Sequence, residues 1–128
     1  MEREKLLPEF DGLTVITHVH QAVGWGDGRL GLMSLEKKAK KALGRLKRSR
    51  LAGASAELAE VALKDPDAIP IEWRPYTLVF TGTIFKNGAG KECFVTLYFF
   101  GHWTWDYVSL EDPLGKDDRL VFIQKKGK

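Results

Sequence analysis

The chain has 128 residues, is 44% apolar and 29% charged, and carries a formal charge of +3. That length and apolar content suit one domain over residues 1–128 with a core of its own, and no 18-residue apolar run is available for a membrane helix. The start, MEREKLLPEF, is charged with no apolar region behind it, and the lone Cys93 has no internal disulfide partner. The expectation is a cytoplasmic chain without a signal peptide or a membrane partner, with Cys93 as a core thiol.

Residues 12–23, GLTVITHVHQAV, alternate with Leu13, Val15, Val19 and Val23 on one face and predict a first strand. A glycine-rich loop, GWGDG at 24–28, leads toward Ser34–Leu51, SLEKKAKKALGRLKRSRL, which the spacing predicts as a helix. Leu35, Ala39, Ala42, Leu43 and Leu46 recur at the helical period, Ser34 is the expected N-cap, and Glu36 suits the first turn. Ser55 caps a second short helix with Glu57 in its first turn, and Asp65-Pro66 closes it. Strands follow over 71–86 and 91–101, joined by Asn87-Gly88-Ala89-Gly90, a strong hairpin signal. Placing Lys86 opposite Lys91 sets Ile84 against Cys93, Phe80 against Leu97 and Leu78 against Phe99 on an apolar face. Two more strands, 103–110 and 119–124, flank the acidic turn EDPLGKDD. The expected order is β-α-α-β-β-β-β, an α+β fold in which a curved antiparallel sheet packs against a basic amphipathic helix.

Charge is the strongest functional signal. Ser34–Leu51 holds eight of the chain's 20 Lys and Arg residues and one acid, Glu36, for a net +7, so the remaining residues sum to −4. Lys37, Lys38, Lys40, Lys41, Arg45, Lys47 and Arg48 fall opposite the apolar stripe, with Arg50 on its flank, and almost no acid stands at i±3 or i±4 to offset them. Such a face repels itself unless a counter-charge arrives, which points to a nucleic acid or an acidic protein surface as partner.

Two further constellations carry chemistry. His18 and His20 lie two apart on a predicted strand, and with His102 they offer the ligand type of a three-histidine metal site. The aromatic run 98–107, YFFGHWTWDY, splits by strand alternation into a core set and a second set of Tyr98, Phe100, His102 and Asp106 beside Thr77. The second set suits base stacking, a ligand pocket or a homodimer interface. GWGDG is not a phosphate-binding fingerprint, and no nucleophile with a base and no paired carboxylates stand out. The reading therefore leans away from an enzyme and requires no cofactor. The leading expectation is a small binding module using its cationic helix. The alternatives are a small-molecule binder or enzyme on the aromatic and histidine face, and a self-associating interaction protein.

Overall fold

A computed structural model describes residues 10–21 and 23–125; residues 1–9, on which the reading of the start of the chain rests, lie outside the described residues. The fold is α+β. Strands β1 (Thr14–His18) and β2 (Leu30–Ser34) precede helix α1 (Lys41–Arg48), and β3 (Leu51–Gly53) precedes helix α2 (Ala56–Lys64). Two short 3-10 turns then lead to β4 (Thr77–Lys86), β5 (Glu92–Phe99), β6 (Trp103–Ser109) and β7 (Asp118–Gln124). The sheet runs β2-β7-β4-β5-β6, with β1 added along β4 and β3 along β7.

The expected antiparallel meander is corrected at β7, which does not pair with β6. It crosses to β4 and runs parallel to it, from Thr77 opposite Asp118 to Val79 opposite Leu120, so the sheet is mixed. The cause lies in its composition: Leu120, Val121 and Ile123 are buried on both faces, and a strand of that kind belongs inside a sheet. β2 and β3, which the periodicity did not suggest, are its other neighbours.

The expected helix over Ser34–Leu51 is corrected as well. Ser34 ends β2 opposite Arg119, and the helix starts only at Lys41, with Lys40 as an N-cap that makes no side-chain cap bond. Residues 37–40 are held by a different partner. The Ala39 amide donates to the Asp112 carbonyl, the Lys40 amide to Leu110 and the Leu114 amide to Lys37, each at 2.8 Å. Those backbone groups are already satisfied and cannot join a helical ladder. Leu35, Ala39, Ala42 and Leu46 nevertheless reach one core, as the stripe predicted, whereas Leu43 stays 41% exposed. At its far end α1 stops at Ser49, and Arg50 takes a left-handed conformation, φ 59°, that glycine usually occupies.

Both sheet faces are covered. On one, α2 contributes Leu58, Ala59 and Ala62 to a core with Leu78, Phe80, Val95, Leu97 and Trp103. On the other, α1 packs Ala42 and Leu46 against Val79, Phe94 and Leu120. The hairpin register differs from expectation, since Leu78 faces Leu97 and Phe80 faces Val95, yet Phe85 faces Cys93. β4 thus carries three more residues than β5 across this stretch, a wide bulge that replaces Ile84 by Phe85 in the first core.

A smaller bulge in β1 positions the histidines. Val15 faces Phe85 and Thr17 faces Ile84, so Ile16 is the extra residue and the alternation changes phase. His18 consequently turns inward while Val19, expected on the core face, is half exposed.

Candidate functional site

Lys37, Lys38 and Lys40 are exposed on the loop before α1, and Lys41, Lys47 and Arg48 are exposed on α1 itself, with Arg45 half-buried. Two of them have acquired a counter-charge from the turn after β6: Lys40 Nζ lies 3.1 Å and Lys38 Nζ 3.5 Å from the Glu111 carboxylate. The hydrogen bond and charge of Lys40, reinforced by Lys38, hold that carboxyl below its ordinary range. For Lys37, Lys41, Arg45, Lys47 and Arg48 no ion pair occurs among the described residues.

Beside this surface runs a cleft of about 340 Å³ between α1, the segment 17–21, β3 and β4. Val19, Leu43, Leu46, Leu51 and Ile84 make its walls apolar, and Lys47 and Lys125 supply its charge. Thr81 also lines it, with a buried hydroxyl that has no hydrogen-bond partner among the described residues. The cleft exists because residues 53–54 wedge between β4 and β7: the Ala54 amide donates to Val121 and the Gly82 amide to Ala54. Gln21 latches the facing segment, its Nε2 donating to the Gly53 carbonyl at 2.7 Å and its Oε1 accepting the Ser55 amide at 2.9 Å.

Apart from that cleft, the structure brings His18 and His20 together with Glu57, the first-turn residue of α2, so that one ligand atom from each lies within 4.8 Å of the others. Glu57 Oε2 is 3.2 Å from His20 Nδ1 and 3.5 Å from His18 Nε2. Glu57 Oε1 accepts the Ser55 hydroxyl, which in turn caps the Glu57 amide. Burial opposes ionisation of this carboxyl, but the hydrogen bond from His20, the two imidazoles and a backbone bond from Gln21 hold it below the usual range. The His18 side chain is only 6% exposed and its Nε2 has no hydrogen-bond partner among the described residues, while the His20 side chain is 78% exposed. The shallow pocket in front, about 140 Å³, is bordered by His20, Ser55, Glu57 and Val61.

His102 does not belong to this group, and Glu57 takes the third place. The sequence offered no sign of that, because only the tertiary packing of α2 against β4 brings residue 57 to residues 18–20. The aromatic set is spread along the β5–β6 pair. Tyr98, Phe100, His102 and Asp106 are exposed, Phe100 at 80%, Thr77 is half-buried at the Tyr98 end of the β4–β5 pair, where Leu78 faces Leu97, and none of them lines the clefts described above. In the glycine-rich loop Trp25 is buried with its indole N–H on the Leu58 carbonyl, and Asp27 is engaged by Arg29 through both side-chain oxygens. Among the described residues no helix is long and apolar enough to cross a membrane. No protein-family model, no curated protein and no solved structure matches the chain.

Proposed function

We propose that this protein is a binding module that docks a nucleic-acid backbone on the cationic surface between Lys37 and Arg48. The observation that carries the reading is the set of five cations without an ion pair among the described residues, Lys37 on the loop before α1 and Lys41, Arg45, Lys47 and Arg48 on α1, which buries Ala42 and Leu46. Glu111 anchors Lys38 and Lys40 against the body of the fold, leaving Lys37, Lys41, Arg45, Lys47 and Arg48 to meet phosphates. Such contacts displace condensed counterions, so affinity should fall by roughly 0.7 to 0.9 log units per log unit of salt for each phosphate neutralised. The test is titration of a labelled single strand and a duplex at several salt concentrations, with the Lys37→Glu, Lys41→Glu, Arg45→Glu, Arg48→Glu variant beside the parent. Loss of both affinity and salt slope supports the reading. Unchanged affinity overturns it, and tight binding of an acidic protein with none of nucleic acid transfers the surface to that partner.

A second reading rests on the cleft. An apolar molecule bearing an acidic group fits walls of Leu43, Leu46 and Ile84 with Lys47 and Lys125 for the acid and the Thr81 hydroxyl as an unused polar group. It predicts that Ile84→Asn abolishes ligand uptake without touching nucleic-acid binding.

A further inference from the structure

We infer that His18, His20 and Glu57 form a binding site for a first-row divalent metal ion, zinc foremost, with one coordination position open to the adjoining pocket. The inference is independent of the polyanion reading, since none of the three residues belongs to the cationic segment or lines the cleft beside α1.

Donor chemistry comes first. Two imidazoles and one carboxylate are a ligand set that zinc accepts, and three protein ligands leave a fourth position for water or substrate. Spacing comes second: ligands about 2.0–2.1 Å from a tetrahedral zinc stand about 3.3 Å from one another. Glu57 Oε2 lies 3.2 Å from His20 Nδ1 and 3.5 Å from His18 Nε2, two edges that bracket that length, and all three ligand atoms lie within 4.8 Å of one another.

The surroundings supply the third argument. His18 Nε2 is buried, lacks a hydrogen-bond partner among the described residues and lies 3.5 Å from Glu57 Oε2. A buried polar atom left in that state is costly, and a cation between the two residues removes the cost. The other ring nitrogen is already held: His18 Nδ1 lies 2.9 Å from Thr83 Oγ1, which also accepts the Ala56 amide at 3.0 Å. With the proton on Nδ1 held by Thr83, Nε2 carries the ring's lone pair, which is how an oxygen behind the ring fixes a ligating histidine. Ser55 does the corresponding work for Glu57 by holding Oε1, leaving Oε2 free to ligate. The open side faces the pocket of about 140 Å³, where the metal can keep a water.

The test uses the full chain stripped of metal by a chelator and titrated with zinc by calorimetry at neutral pH, and with cobalt as a spectroscopic probe. One equivalent of zinc should bind, the melting temperature should rise, and cobalt should give the strong visible absorption of a four-coordinate site. His20→Gln changes an exposed side chain and should leave the unliganded fold intact while weakening zinc at least tenfold; Glu57→Gln should do likewise. His102→Gln should leave affinity unchanged. Absence of a stoichiometric zinc site, or equal affinity in the parent and His20→Gln, overturns the inference. So does a loss of affinity in His102→Gln alone.

Discussion

Thr83 and His18 face each other across the β1–β4 pair, Oγ1 2.9 Å from Nδ1, and the same hydroxyl oxygen accepts the Ala56 amide that opens α2. One buried oxygen therefore joins a strand, a helix start and an imidazole. Thr83→Val keeps the shape and removes both bonds, leaving two buried N–H groups to be satisfied elsewhere. The expected cost is about 1–3 kcal/mol in urea unfolding. Zinc affinity should fall about 10–100-fold in the same variant, because the ring loses its orienting partner. A variant as stable as the parent would show that the hydroxyl is dispensable.

Glu111 is the acid that restrains the cationic surface, and both of its ion pairs are exposed. Exposed pairs of this kind contribute little to folding, so Glu111→Gln should change stability by less than about 0.5 kcal/mol. Freed of that carboxylate, Lys38 and Lys40 become available to phosphates. Nucleic-acid affinity should rise, and the salt slope should steepen by roughly 0.7–0.9 for each added contact. Weaker binding in filter or anisotropy assays would mean that Glu111 positions the lysines instead of competing for them.

Two glycines mark where backbones meet beneath the cleft. A Cβ on Gly82 would stand 2.6 Å from the Gly53 carbonyl oxygen and 2.8 Å from the Ser55 amide nitrogen, neither of which can swing away. A Cβ on Gly53 would run into the Thr81 side-chain oxygen. Gly82→Ala should therefore destabilise by about 2 kcal/mol or more, in the range of overpacked interiors. Gly53→Ala should recover part of its own loss when combined with Thr81→Ala. Additive losses in that double variant, measured by chemical denaturation, would refute the steric account.

Burial pushes the Cys93 thiol up to about 11, well above an ordinary cysteine. Its reaction with a disulfide reagent should be slow in the native protein at pH 8 and fast after unfolding, since the thiolate is the reactive form. The linkage has a definite sign. An unfolded thiol ionises near pH 8.5, so between roughly pH 8.5 and 11 the unfolded chain binds fewer protons and stability falls as pH rises. Cys93→Ala should lose that alkaline component, which urea midpoints at pH 7.5 and 10 would reveal.

Much of the architecture was readable where local chemistry decided it. α2 begins after the Ser55 cap and ends at Asp65, as the capping residue and Asp-Pro pair indicated, and the hairpin turns at Asn87–Gly90. Reading failed where distant partners decided. Leu30–Ser34 has no strong alternation and is extended because β7 pairs with it, while the cationic segment is helical only beyond the point where the 110–114 loop releases its backbone. For the candidate metal site, His18 and His20 were visible as an HxH pair. Glu57 was visible only as a residue suited to a helix start, and the bulge at Ile16 that turns His18 inward leaves no mark in the pattern.

The central place of β7 bears on how the protein is made. Its three neighbours, β2, β3 and β4, all precede it in the chain, and β3 does so by more than sixty residues. At about 5–20 residues per second, a ribosome needs several seconds to pass from β3 to the end of β7. Throughout that interval the strand edges that β7 will occupy have no native partner, and the walls of the cleft next to α1 cannot meet. Closure of that cleft thus awaits the emergence of a strand none of whose residues lines it, and the half-made sheet is the stage at which a chaperone would find most to hold.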